Sequence, residues 1–541
     1  MDIEILLEGG TVIDGTGSPS RMADVAVAGN RIAAVGRDLD LSANRVIDAR
    51  GLVVTPGFID IHTHSDISAL ADPACESKVS QGVTTDVTGN CGISPFPIAS
   101  ERLDEHLDLL AGRGIGEGGL ELSWNDVEGY AEVAARRRLA FNLAPLVGHG
   151  TLRCAGMGLD QRGPTEAELA EMKRLLDHQL DQGAFGFSTG LTLVPGAYAG
   201  EDEVVALVRV VAQHDALYAT HTRGNSDREF GGVEEAIRTA TAAGARLQYS
   251  HAAINVPDLW GRASDVTAKI EDARSTGLDV KFDVYPYDAS SSAMTQYLPI
   301  WVQEGGRDAM RARLSDPSVR ERALAEFRSG WFEGIPWHWD RVLLSRVDQP
   351  DAWCVGLTIE QAAARAGQDP AEWALQLCLD HGNSARVVLF YRTEEDMTTF
   401  LAHPLSMVGS DGSAISFNTR GEQPHPRSFG TYPRVFGRYV REQRILTLEE
   451  AVRKSTGAVA QRLQIGDRGI LDLGMIADVV VFDSDSIMDR ATFAEPATPP
   501  EGIHHVLVNG ELVVDGGLQT DARPGRVLRR RRTSSSSSKW R

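Results

Sequence analysis

Eight short apolar runs recur through the middle of the chain, and most are followed by a helical stretch. They are GFIDIH (57–62), VTTDVT (83–88), AFNLAPLVG (140–148), AFGFST (184–189), ALYATH (216–221), ARLQYSH (245–251), LDVKFDVYP (278–286) and LSMVGSD (405–411). Strands apolar on both faces belong to a parallel sheet covered by helices. Eight of them alternating with helices, such as VEEAIRTATAAG after the fifth, predict an α/β fold: a closed (β/α)8, TIM-like barrel. Two intervals, about 89–139 and 287–404, are too long for one helix each and are expected as insertions over the barrel mouth. The second falls between strands 7 and 8 and carries a Trp-rich patch, WFEGIPWHWD, suited either to capping a site or to a small core of its own.

The two ends of the chain share a different texture. EILLEGGTVIDG, DVAVAGNRIAAVG and RVIDARGLVVTPG alternate apolar and polar residues, and the pattern returns in GILDLGMIADVVVFD and HHVLVNGELVVDGG, where VNGEL signals a hairpin. One small β domain made from 1–56 and 467–520 is therefore expected beside a barrel at 57–466. The stretch 521–541 reads as a basic, low-complexity, disordered tail, with seven Lys/Arg and no acid from Pro524 onward.

Composition narrows the function classes. A chain of 541 residues, 42% hydrophobic and 24% charged, is neither a disulfide-stapled module nor a disordered or coiled-coil chain. The net charge of -21 disfavours nucleic acid as a partner and requires any anionic substrate to find a local positive site. Five cysteines, odd in number and scattered, point to a reducing compartment rather than a disulfide framework. No run reaches the ~20 apolar residues of a membrane span, and MDIEILLEGG lacks the basic start of a secretory signal. A cytoplasmic enzyme with a small-molecule partner and no membrane or nucleic-acid contact is expected, and exposed barrel helices leave room for a homo-oligomer.

The chemistry gathers at strand ends. His62 and His64 close the first strand with a spacing that turns both rings to one face. Cys91 follows strand two, His221 ends strand five, His251 ends strand six and Asp411 ends strand eight. All six lie on the C-terminal face of the barrel, where such folds build their sites. Singly, each histidine reads as structural and the cysteine as a small buried hydrophobe; together, imidazoles, a thiolate and a carboxylate suit one or two Zn2+ ions. Zinc-assisted hydrolysis of an amide, imide or ester follows, with Asp411 placed to orient water, accept its proton and return it to the leaving nitrogen. His178, His214 and His381 fall in helices or loops and are taken as structural.

These residues resemble the amidohydrolase superfamily, and within it the N-acyl-D-amino-acid deacylases (D-aminoacylases). The resemblance runs over nearly the whole chain: GFIDIHTHSD, GNCGISPFPI, GHGTLR (148–153), STGLTLVPGAYA (188–199), GSDGSAI and PHPRSFGTYPRVFGRYVRE. It implies a zinc-dependent hydrolase of N-acyl-D-amino acids, with Cys91 as the shared ligand. Cys91, His221 and His251 would make a tight zinc site, and His62, His64 and Asp411 a second, weaker one. It also implies that Arg427 of the HPR motif grips the substrate carboxylate, and that Tyr285 or Tyr287 of DVYPY contacts substrate or intermediate.

Two departures stand out: Ala253 where the family commonly has Lys, and Leu193 where it commonly has Tyr. They suggest a weaker carboxylate grip and a bulkier or more apolar substrate. The alternatives are therefore hydrolysis of a cyclic or carboxylate-free amide and, from a different class, a non-catalytic scaffold that has lost its metal.

Overall fold

The computed structural model describes residues 2–531 except 112, 114, 116–118, 224–229, 333 and 420. Eight parallel strands, Phe58–Asp60, Val83–Thr88, Asn142–Gly148, Gly186–Gly190, Leu217–His221, Arg246–Tyr249, Val280–Val284 and Ser406–Val408, pair each with the next. The ring closes just past the ends of the first and last. There Thr63 bridges Gly412, Asp411 N donates to His62 O at 2.8 Å, and His64 N donates to Gly412 O at 2.8 Å. This is the expected (β/α)8 barrel.

Strands one, six, seven and eight stop short of their apolar runs. At His251 and Asp411 the backbone turns left-handed (φ 37° and 51°), a conformation that no strand ladder accommodates. Ile59, Val87, Leu146, Ala219 and Met407 form one core cluster with Val459, Ala460 and Leu463 of the helix Gly457–Leu463. Around the outside, the helix after strand five, Gly231–Ala243, ends where Gly244 adopts φ 70° and donates back to Ala240 and Thr241.

Five strands from the beginning of the chain and four from its end share one nine-stranded sheet. It joins where Val53–Pro56 runs antiparallel to Val479–Phe482. Asn509 and Gly510 make the hairpin between Ile503–Val508 and Glu511–Asp515, both with positive φ (51° and 88°), the geometry that a two-residue hairpin loop favours. A Cβ on Gly510 would collide with the carbonyl of Gly29, so glycine is required there.

Of the two long intervals, the first contains Val127–Arg137, which packs beside the barrel, and Leu103–Leu109, which touches the second insertion. The second insertion folds as a three-stranded antiparallel sheet with Arg386–Leu389 between Ser290–Ala293 and Val342–Arg346. It has its own core, in which Trp337 stacks on Trp339 at 4.3 Å, while Trp331 and Phe332 reach the cavity above the barrel. Both readings of the Trp-rich patch are thus realised. Glu394–Ala402 packs on strands seven and eight as a barrel helix, so the inserted part ends before it.

The expected disordered tail needs correction. Residues 521–531 pack along the N-terminal end of the barrel: Leu143 N donates to Arg526 O at 2.9 Å, Leu528 N to Leu143 O at 2.7 Å and Arg530 N to Gly183 O at 2.8 Å. Val527 and Leu528 pack against the core, and it is their burial and these backbone bonds, invisible in an arginine-dominated composition, that order the segment. The serine run and the rest of 532–541 lie outside the described residues.

Candidate metal centre and active site

The closing seam of the barrel positions three of the six candidate ligands. Asp60, at the end of strand one, accepts from Ser410 N at 2.8 Å and from Lys78 Nζ at 2.8 Å; Lys78 also donates to Ser410 Oγ at 2.9 Å. This buried knot ties strand one to strand eight, and so fixes His62 and His64 relative to Asp411. His64 Nε2 lies 2.9 Å from Asp411 Oδ1, and His62 Nε2 lies 3.5 Å from the same oxygen.

Cys91 reaches the centre from the loop after strand two, in a left-handed conformation (φ 53°). That loop runs against Gly190 of the STG motif, where a Cβ would collide with the Cys91 carbonyl. The thiol lies 3.3 Å from His62 Nε2 and 3.5 Å from His251 Nε2, and His251 Nε2 lies 2.9 Å from His221 Nδ1. Two donor groups result, each within 4.8 Å: His62, His64, Cys91 and Asp411, and Cys91, His221 and His251, with Cys91 common to both. Three of these residues hold positive φ, a backbone cost that clusters at functional sites.

Electrostatics match a cation at this place. Burial pushes His221 down to about 4 and His64 down to about 3, so both imidazoles stay neutral and keep a lone pair to offer. Burial also raises the Cys91 thiol, with His62 opposing it, so a nearby positive ion is what makes the thiolate favourable. Burial opposes the charge on Asp411 as well, but Arg427, His64 and His62 outweigh it and hold the carboxyl well below its usual range. The Nδ1 of His64 is buried without a hydrogen-bond partner among the described residues. Nitrogen, sulfur and carboxylate donors in this arrangement fit zinc.

The remaining site residues divide. Arg427 opens the helix Arg427–Arg434 and pairs with Asp411 (NH1 to Oδ2, 2.7 Å), held by a turn in which His425 Nδ1 accepts from Arg427 N at 3.0 Å. Tyr285 lines the cavity between two guanidinium groups, Arg392 at 4.8 Å and Arg427 at 4.9 Å from its ring centre, and its hydroxyl accepts from Arg392. Tyr287 does not line the cavity; it is buried under Arg434 at 4.6 Å and packs edge-on against His425. His214 and His381 are occupied by Asp177 at 2.7 Å and Asp351 at 2.9 Å, away from the centre.

Several residues escape sequence reasoning. Asp283 of strand seven lies 3.0 Å from His62 Nδ1 and accepts from His251 N and Gln248 Nε2, both at 2.8 Å. Its only sequence signal is an acid among the apolar residues at the end of a strand that also carries Lys281. Thr192 Oγ1 contacts His221 Nε2 at 2.7 Å. Arg392, from the end of the second insertion, donates to Asn255 Oδ1 at 2.8 Å and to Tyr285, and no periodicity singles it out. The weak positive site inferred from Ala253 is corrected here. A cavity of about 1020 Å3 opens above the candidate ligands, and Arg113, Arg307, Arg346, Arg386, Arg392 and Arg427 all line it.

Fold and site together define a hydrolase that works through metal ions at the mouth of a (β/α)8 barrel. Residues 45–514 match the amidohydrolase family. The chain is 37% identical to N-acyl-D-glutamate deacylase of Alcaligenes xylosoxydans xylosoxydans over 98% of its own length and 97% of that protein. It superposes with a TM-score of 0.82 on N-acyl-D-glutamate deacylase from Bordetella bronchiseptica, solved with zinc and a phosphonate mimic of the tetrahedral intermediate; identity is 36%, covering 98% and 100% of the two chains. A D-aminoacylase with a binuclear metal centre, studied for one-metal activation and second-metal attenuation, gives 0.81 at 35% identity, covering 98% and 100%. The chain belongs to the amidohydrolase family, in the branch of the D-aminoacylases and N-acyl-D-amino-acid deacylases.

Proposed function

We propose that the chain is a zinc-dependent hydrolase that cleaves the amide bond of N-acyl-D-amino acids. The observation that carries this reading is Cys91, whose single sulfur belongs to both donor groups beneath an arginine-lined cavity. Zinc held there would supply a water acidified toward a pKa of ~7 and a Lewis acid for the scissile carbonyl. Cys91, His221 and His251 would hold it tightly, and His62, His64 and Asp411 would complete a weaker second position.

Asp411 accepts the proton of the attacking water and delivers it to the leaving nitrogen. The same carboxylate is paired with Arg427, which keeps it ionised and ready to act as a base. Arg392, Arg427 and Tyr285 surround one end of the cavity and bind the substrate carboxylate through charge-assisted hydrogen bonds. A carboxylate-free amide finds no support in such a wall, and an intact donor set does not fit a scaffold that has lost its metal. No helix among the described residues is long and apolar enough to cross a membrane. The five cysteines are buried free thiols, which supports a reducing, cytoplasmic setting.

A hydrolysis panel tests the reading: N-acetyl-D-amino acids, their L enantiomers, their carboxamides and lactams, each with enzyme of known zinc content. Turnover confined to the free-acid D substrates is expected. Preferential turnover of the carboxamides or lactams would overturn it.

A further inference from the structure

Tyr285, Arg392 and Arg427, which surround the carboxylate end of the cavity, stand beyond strands seven and eight. In a ring of eight strands the side opposite belongs to strands three and four. A substrate whose carboxylate is held at Arg427 and whose scissile carbonyl lies at the candidate ligands therefore sends its acyl group across the mouth, toward that opposite side. An apolar wall stands there. Ile93 and Leu109 come from the segment after strand two, Leu159 from the segment after strand three, and Leu193 and Val194 from the loop after strand four; all line the cavity, joined by Met310 of the insertion. Met310 arrives because its helix, Gly306–Leu314, docks on Leu103–Leu109: Arg307 N donates to Asp108 Oδ2 at 2.6 Å, and Gly305 N to Leu159 O at 3.2 Å. Leu193 forms the inner end of the wall. A Cβ on Gly190 would meet both the Cys91 carbonyl and, at 3.0 Å, Leu193 Cδ1, so that methyl lies beside the turn carrying the thiol common to both donor groups. The polar groups on this side are engaged within the chain: Arg113 pairs with Asp66 at 4.0 Å, Arg307 donates to Asp380 O at 3.5 Å and Gln303 to Leu298 O at 3.2 Å.

Leu193 and Val194 remain partly exposed at the cavity, and apolar surface left facing water is stabilised when an apolar ligand covers it. The cavity volume of about 1020 Å3 stands at the upper end of the ~300–1,000 Å3 range of sites for drug-sized ligands, far more than an acetyl group and a small amino acid occupy. We propose that this wall is an acyl pocket, and that the preferred substrates are N-acyl-D-amino acids carrying a medium-chain fatty acyl group in place of acetyl. Water adds to the acyl carbon, the C–N bond breaks, and the nitrogen takes up a proton of that water, releasing a fatty acid and a free D-amino acid. The proposal rests on the deacylase reading and adds to it the chemistry of the acyl group, with Leu193 and Met310 as residues that select it.

The test varies the acyl chain on one amino acid: N-acetyl-, N-butanoyl-, N-hexanoyl- and N-octanoyl-D-alanine, with zinc-loaded wild type, Leu193→Gln and Met310→Gln. N-acetyl-D-leucine is included so that an apolar amino-acid side chain is tested as the occupant of the same wall. In the wild type kcat/KM should rise about two- to fourfold per added methylene until the pocket is filled. Each variant should lower the octanoyl-to-acetyl ratio about tenfold or more, with circular dichroism as the control for folding. A wild-type ratio near or below one, or variants that keep the wild-type ratio, would overturn the acyl pocket while leaving the deacylase intact. Variants that lower instead the ratio of N-acetyl-D-leucine to N-acetyl-D-alanine would overturn it too, by assigning the wall to the amino-acid side chain. Absence of hydrolysis of every compound would overturn the deacylase reading, and calorimetric titration with octanamide then decides on the pocket alone. Binding at least about tenfold weaker to both variants than to the wild type supports it, and equal binding overturns it.

Discussion

His62 Nδ1 and Asp283 Oδ1 lie 3.0 Å apart, both almost fully shielded from solvent. The contact commits the Nδ1 proton to the carboxylate and turns Nε2 toward Cys91, 3.3 Å away. A ligand histidine backed by a carboxylate is oriented before any ion arrives. Since Asp283 also accepts from His251 N, one side chain positions a candidate ligand from each of the two donor groups.

Asp283→Asn keeps the shape and removes the charge. Zinc affinity should fall ~10- to 100-fold, the cost typical of losing such a supporting partner, with the fold retained. Competition against a chromophoric chelator, with circular dichroism as control, measures it.

Asp411→Asn should lower kcat by ~100- to 10,000-fold, the range for loss of a general base, whereas zinc held at Cys91, His221 and His251 should stay. Metal analysis of the variant beside its turnover separates the two roles. Simultaneous loss of all zinc would make Asp411 a ligand of the tight site instead.

Arg392→Met removes the guanidinium that contacts both Tyr285 and Asn255. Loss of a charge-assisted bond to the substrate carboxylate should raise KM ~10- to 100-fold with a smaller effect on kcat. Steady-state kinetics with N-acetyl-D-amino acids checks this.

Stability should respond to pH at His106, which accepts from Ala99 N at 3.1 Å. Burial, with a smaller contribution from Arg102, pushes its pKa down to about 4. Between about 4 and 6.5 the unfolded chain binds the proton that the folded chain refuses, so His106 lowers stability as the pH falls through that window. His106→Gln, which can still accept from Ala99, should flatten the slope there by an amount on the order of 2–3 kcal/mol, read from urea melts at pH 4.5 and 7.

Much of this molecule is legible in its sequence, for physical reasons. Runs such as NLAPLVG are largely apolar on both faces because a barrel strand is buried on both, and that pattern needs no tertiary information. The six candidate ligands are legible because strand ends can be placed. Asp283 is not, because one acid in a buried strand has no signature until its partner His62 is in place. Arg386 and Arg392 are hidden for a different reason: they belong to an insertion whose fold no periodicity announces, and only its docking over the barrel turns them to the cavity. Residues 521–531 mislead by composition, since their arginines mask the few apolar and backbone contacts that seat them.

Zinc titration of metal-free protein, followed by hydrolysis of N-acetyl-D-amino acids, tests the two-part donor set with Cys91 at its centre most directly. Turnover should be absent without zinc, rise to its maximum near one equivalent, and fail to rise in Cys91→Ala at any zinc concentration. Full turnover in protein verified to be metal-free, or a Cys91→Ala variant that titrates like the wild type, would contradict it.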